Sequence, residues 1–191
     1  GGSCSGAFSS QEVGNALWGM QNMSSNRAEV RAILAALVPK VESCSGAYDA
    51  QNVGNALCGM QKMSSDSAEV RSILSALVPK VESCSEAFSA QAVGSALCGM
   101  QKMSSDSAEV RSILSALVPK VESCSGAFSS QAVGNAVYGM QKMSSDSAEV
   151  RSILSALVPK VESCSGAYDA QNVGNALYGM QKMSSNSAEV R

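Results

Sequence analysis

Three positions of a repeated segment change in chemical type while the residues around them stay nearly fixed. In the first copy they are Glu12, Asn15 and Trp18. Forty residues further on they become Asn52, Asn55 and Cys58. Ala92, Ser95 and Cys98 follow, then Ala132, Asn135 and Tyr138, then Asn172, Asn175 and Tyr178. A fourth position holds Asn22, Lys62, Lys102, Lys142 and Lys182. Asn and Ser can hydrogen-bond base edges or peptide groups, and Trp and Tyr can stack on flat ligands. A lysine can meet a phosphate. This is the chemistry of recognition. Catalysis lacks its parts. The chain has no histidine, which removes the commonest general base and metal ligand together. No glycine loop cradles a phosphate and no nucleophile has a base beside it. A protein that is not an enzyme and needs no cofactor is the expectation.

Cysteine usage points the same way. Five of the seven cysteines form a series, Cys4, Cys44, Cys84, Cys124 and Cys164. Equivalent atoms of stacked helices lie about 8–10 Å apart, and a disulfide needs Cα atoms closer than about 7 Å. The series therefore reads as free buried thiols in a reducing, intracellular compartment. No C-x-x-C pair exists, so a zinc site is not expected. Net charge is −2 and the pI about 5.2, which argues against broad electrostatic capture of nucleic acid. No run of about 20 apolar residues offers a membrane span.

The elements that must position these side chains are five copies of one unit. VGNALWGMQNMSS at 13–25 returns at 53–65, 93–105, 133–145 and 173–185 with few changes. Counted from Cys4, the units are 4–43, 44–83, 84–123, 124–163 and a partial fifth, 164–191. Residues 1–3 read as an N-terminal remnant or cloning scar, and the chain as a piece of a longer array with further repeats at both ends. Aromatic content is only 4%, so the core must be aliphatic, with methionine as flexible filler.

Each unit reads as two helices. Ser9, Asp49, Ser89, Ser129 and Asp169 are N-caps of the first, and Ser9 with Glu12 makes a capping box. Val13, Ala16, Leu17, Met20 and Met23 recur at helical spacing, so this helix is expected to run to about Met23, broken by Ser24 and Ser25. Asn26, Asp66, Asp106 and Asp146 are expected to cap the second helix, each with a glutamate three residues later. Pro39, Pro79, Pro119 and Pro159 should kink or interrupt it near Val38 and its equivalents. One such pair cannot bury its apolar faces alone, so the fold class expected is all-α. It is an α-solenoid of stacked helix–turn–helix repeats with a 40-residue period.

On a helical wheel the apolar stripe occupies one side and positions 12, 15 and 18 lie together on the other. That stripe is either a recognition surface or ordinary surface drift. The lysines at position 22 fall on the same side; each is either a phosphate contact or a solvated residue at a helix end, favoured by the macrodipole. Gln11 and its equivalents never vary and are expected to form a hydrogen-bonded ladder between units. Lys40, Lys80, Lys120 and Lys160 are expected to face solvent, and Arg31 with its equivalents to pair with glutamates. The repeated glycines cost about 1 kcal/mol each inside a helix, which signals a close approach by a neighbouring helix.

Phe8, Ser9, Ser10 and Gln11, followed by Val13-Gly14-Asn15-Ala16-Leu17-Trp18-Gly19-Met20, resemble the octotricopeptide repeat of algal organelle proteins. That family belongs with the pentatricopeptide and tetratricopeptide kinds of α-solenoid. The resemblance extends over every unit and is strongest in the first. Units two and three carry Cys, and units four and five Tyr, at the place of Trp18; glycine stands where the family has alanine. The resemblance implies single-stranded RNA binding in a chloroplast or mitochondrion, about one nucleotide per unit through the first helix. Two other expectations stand beside it. One is a protein- or peptide-binding scaffold of the armadillo or HEAT kind, which near-neutral charge favours. The other is a repeat array with no selected ligand.

Overall fold

The computed structural model describes residues 7–164, 166–183 and 188. Among them are nine helices and no strands. The first helices are α1 (Ser10–Trp18), α3 (Ala50–Cys58), α5 (Ala90–Cys98), α7 (Ser130–Tyr138) and α9 (Ala170–Gly179). The second helices are α2 (Ala28–Ser43), α4 (Ala68–Ser83), α6 (Ala108–Ser123) and α8 (Ala148–Glu162). First helices stack on first helices, α1 on α3 through to α9, and second helices on second, α2 on α4 through to α8. Backbones within a layer come closer than backbones across layers. The core lies between the layers and is aliphatic: Val53, Leu57, Met60, Val70, Ile73, Leu74 and their equivalents are almost wholly buried.

The first helices begin where their caps dictate. Ser9 accepts from the Glu12 N–H while Glu12 accepts from the Ser9 N–H at 2.8 Å, a complete capping box. Asp49, Ser89, Ser129 and Asp169 each accept from the backbone N–H three residues on. They end earlier than periodicity predicts. α1 stops at Trp18, and the chain tightens into i→i+3 turns, Met20 to Leu17 at 2.9 Å and Met23 to Met20 at 2.8 Å. Met63, Met103 and Met143 still reach the core from these turns, whereas Met23, in the first described unit, is exposed.

The close approach foreseen from the glycines occurs immediately after the helix. A Cβ added at Gly59, Gly99, Gly139 or Gly179 would overlap the carbonyl oxygen of Leu17, Leu57, Leu97 or Val137 in the preceding unit. Within the helix the fit is also close, with a Cβ at Gly94 standing 3.1 Å from the Ala132 carbonyl oxygen.

The paired serines do more than break a helix. The buried hydroxyls of Ser25, Ser65 and Ser105 accept from the backbone N–H of Ser64, Ser104 and Ser144 in the next unit, each at 2.9 Å. Arg31, Arg71, Arg111 and Arg151 spend their guanidinium groups mainly on the carbonyls of Ser25, Ser65, Ser105 and Ser145. Among the described residues one ion pair forms, Arg71 with Glu109 at 3.9 Å.

Three further expectations are corrected in the second layer. The N-caps are Arg27, Ser67, Ser107 and Ser147, one residue beyond the predicted Asn26, Asp66, Asp106 and Asp146. Asp66 is drawn instead into the preceding turn, where its carboxylate accepts from Ser64 Oγ at 2.9 Å. Pro39 does not interrupt α2, which continues to Ser43, and the same holds for Pro79 and Pro119. Lys80, Lys120 and Lys160 do not simply face solvent. Each reaches back to the end of the preceding second helix, Lys80 donating to the Cys44 carbonyl at 2.6 Å, Lys120 to Cys84 and Lys160 to Cys124. A cation there meets the negative end of the helix dipole. Lys40, in the first described unit, lies over the Phe8 ring at 5.7 Å from the centroid.

Cys44, Cys84 and Cys124 are free and buried, and Cys164 is free and half-buried; Cys4 lies outside the described residues. Among the described residues no helix is long and apolar enough to cross a membrane.

Candidate ligand-binding face

The outer face of the first-helix layer is built from positions 11, 15, 18 and 22. Positions 11, 15 and 18 are spaced to share one face of a helix, and stacking five such helices turns each position into a row. Gln51, Gln91, Gln131 and Gln171 form the outermost row, all exposed. Asn55, Ser95, Asn135 and Asn175 form the next, half-buried, with Asn15 exposed at the free end. The side-chain amides of these glutamines and asparagines make no hydrogen bond among the described residues. The lysines Lys62, Lys102, Lys142 and Lys182, and Asn22, occupy the exposed turn beyond the helix.

Adjacent first helices leave an open groove between them. The groove between α3 and α5 has a volume of about 360 Å³ and is lined by Gln51, Asn55, Gln91 and Ser95. Between α5 and α7 it is about 540 Å³, with Gln91, Ser95, Gln131 and Asn135. Between α7 and α9 it is about 510 Å³, with Gln131, Asn135, Gln171 and Asn175. Small residues make the floors possible: Gly54 faces Ala92, and Gly94 faces Ala132. No lysine or arginine lines any of the three. The first carries a carboxylate, because Glu86 replaces the glycine found at Gly46, Gly126 and Gly166. Its Oε2 accepts from the Ala50 N–H at 2.8 Å, adding an anion to the N-terminus of α3.

The predicted stripe is only partly presented. At position 12, Glu12 is exposed and holds its own helix cap. Asn52, Ala92 and Asn172 are half-buried, and Ala132 is buried at the floor of a helix contact rather than on an open face. Asn172 donates to Ser130 Oγ at 3.3 Å. At position 18, Trp18 and Tyr178 are exposed, Cys98 and Tyr138 half-buried and Cys58 buried. Cys58 and Ala132 are therefore corrected from outward-facing to packed residues, because the neighbouring unit comes so close at Gly99, and at Gly94, that little space remains. Tyr138 and Tyr178 stack on each other, with centroids 5.8 Å apart and planes 26° from parallel. Burial pushes the Cys98 thiol up to about 11 and raises Cys58 as well, so both stay protonated and poorly nucleophilic at neutral pH.

The expected glutamine ladder exists at a different register. Gln101 donates to Gln61 Oε1 at 3.2 Å, and Gln61 lies 3.5 Å from Gln21 Oε1. It is interrupted at Gln141, whose buried Nε2 has no partner among the described residues. The Gln11 series is left free on the outside. Its signal was visible in the chain: a side chain that never varies, on the side of the helix away from the apolar stripe. Among the described residues no cluster of three metal-ligating side chains converges.

No protein-family model matches this chain, and neither a curated protein nor a solved structure was found to be similar to it.

Proposed function

We propose that the chain is a modular binding array for an extended polymer, and that the polymer is single-stranded RNA read by the first helix of each unit. The observation that carries this reading is the repeated groove: unpaired Gln and Asn amides between three successive pairs of first helices. A row of exposed lysines lies outside the grooves, on the turn beyond each helix. Amides of this kind match the hydrogen-bonding edges of unstacked bases, and the lysines match phosphates. In this reading the molecule is an α-solenoid of forty-residue units, its second helices bent at Pro39 and the equivalent prolines, akin to the octotricopeptide repeats. A reducing organelle, chloroplast or mitochondrion, suits its free thiols. The experiment is selection from a random RNA pool in low salt. Enrichment is expected. Changing Lys62, Lys102, Lys142 and Lys182 together to Ala should weaken binding and flatten its salt dependence, by about 0.7 in log–log slope for each phosphate no longer neutralised. Gln91→Ala with Gln131→Ala should blunt base preference without changing stability. Failure to enrich any RNA sinks the reading.

A second reading has its own observation. Tyr138 and Tyr178 stack on each other rather than parting for a base, and Glu86 and Asp169 border two of the grooves. Both features suit an extended peptide, whose backbone amides pair with Asn and Gln. A pull-down dominated by one protein and insensitive to RNase would favour it.

A further inference from the structure

One place in the unit lies over the start of the preceding unit's first helix. A Cβ at Gly46 would stand 3.6 Å from the Ser10 nitrogen, at Gly126 3.9 Å from the Ala90 nitrogen and at Gly166 3.6 Å from the Ser130 nitrogen. These are ordinary contacts, so the place has room for a side chain. Only the third unit puts one there. Glu86 accepts from the Ala50 N–H through Oε2 at 2.8 Å. That oxygen keeps a second lone pair, and Oε1 accepts from nothing among the described residues. No cation balances the carboxylate. The groove it borders, between α3 and α5, is lined by Gln51, Asn55, Gln91 and Ser95 and by no lysine or arginine. The ion pair of the described residues lies elsewhere, between Arg71 and Glu109.

This carboxylate decides what the groove admits. It repels a phosphate, which the N-terminus of α3 would otherwise attract. It disfavours any edge that turns an acceptor toward it. It holds an edge with two adjacent N–H donors, because a carboxylate accepts two parallel bonds. Among the RNA bases guanine alone has such an edge, N1–H beside the 2-amino group. Adenine and cytosine set one donor against an acceptor, and uracil sets one donor between two acceptors. Guanine O6 then needs a donor, which the unpaired amides of Gln51 and Gln91 supply.

We propose that the groove between α3 and α5 is a guanine subsite, with Glu86 as its specificity-determining residue. The inference rests on the reading of the array as a binder of single-stranded RNA, and adds which base one of its grooves takes. The other two grooves have Gly126 and Gly166 at the equivalent place. Asp169, which borders the last of them, is engaged as an N-cap, accepting from the Asn172 N–H at 2.7 Å.

The probes are labelled oligouridylates with a single central guanine, inosine, adenine or cytosine, titrated against the full chain in low salt. Inosine keeps N1–H and O6 and lacks only the 2-amino group. The guanine probe is expected to bind about tenfold more tightly than the others. Glu86→Gly, which installs the residue of the other units, should level the series while the circular dichroism spectrum stays unchanged. Gly126→Glu is the converse test. It sets a carboxylate beside the Ala90 N–H, and the variant should gain a preference for a second guanine. Equal binding of the guanine and inosine probes overturns the proposal and leaves the array reading standing, as does a guanine preference that survives Glu86→Gly. Binding of no probe overturns both. A glycine–serine peptide with a single arginine, held by the chain and released by Glu86→Gly, would then assign the carboxylate to a guanidinium.

Discussion

Gly19 and Gly59 occupy the same place in the same motif and differ in what stands beside them. A Cβ at Gly19 would meet only carbonyls of its own helix, at 3.4 and 3.5 Å. At Gly59 or Gly99 it would run into the backbone of the preceding unit. Gly99→Ala should therefore cost about 3 kcal/mol, the upper end for overpacking, because the atom struck is backbone. Gly19→Ala should be neutral, or stabilising by at most about 1 kcal/mol. Urea unfolding of the two variants compares them, and equal losses would refute the close approach. Serine gives a matching test of polar burial. Ser65→Ala leaves the part-buried N–H of Ser104 without its acceptor, which should cost about 1 kcal/mol. Both predictions belong to single residues, since neither changes a helix's length or cap.

Helices were legible where their causes are local. The first-helix caps depend on a side chain and a backbone N–H three residues apart, and Ser9, Asp49, Ser89, Ser129 and Asp169 were readable on that basis. Helix ends were not, because the turn after Trp18 is fixed by the next unit's glycine, which no wheel contains. The Asp66 cap failed through competition: Ser64 captures the aspartate and Ser67 takes the capping place. The lysines beside the prolines looked solvated because their acceptors lie a unit away in sequence. Lys120→Met should cost about 1.5–3 kcal/mol, the range for hydrogen bonds to a charged group, and Lys40→Met, where only the Phe8 ring is at stake, less. Thermal melts decide between them. The first turns also carry a pH signature. The hydroxyls of Ser67, Ser107 and Ser147 hold Glu69, Glu109 and Glu149 below the usual value of 4.5, and the Ser9 N–H does the same for Glu12. A depressed folded-state value means the stabilisation is complete above 4.5 and fades as pH falls through the lower folded values. Melting temperature should thus decline on acidification in that window, and Glu109→Gln should shrink the decline.

At the scale of the whole molecule, two stacked layers make every inner unit depend on both neighbours, while the end units depend on one. The sequence repeats almost without change, yet burial does not. Ile73, Ile113 and Ile153 are fully buried, whereas the identical Ile33 is 46% exposed at the free N-terminal end. Which copy of a residue is core was therefore not legible from its type or spacing; it follows from its place in the stack. The candidate face has the same origin. Amide rows and grooves exist only between units, so the helical wheel located the outward side but gave Cys58 and Ala132 to solvent when neighbours bury them. Stability in such a stack is close to a sum of unit and nearest-neighbour terms, and local opening should follow the missing neighbours. Hydrogen exchange ought then to be graded along the chain. Amides of α5 and α6, covered on both sides, should exchange slowest. Those of α9, whose Val173 and Leu177 lie open, should exchange fastest, with α1 between because its own Val13 and Leu17 are fully buried. Leu97→Ala at the centre should raise exchange across the units on either side, costing about 2–5 kcal/mol as a buried leucine does. Leu177→Ala should change α9 alone. Uniform exchange along all nine helices, or an equal and global effect from both substitutions, would mean the units melt as one body and the nearest-neighbour description is wrong.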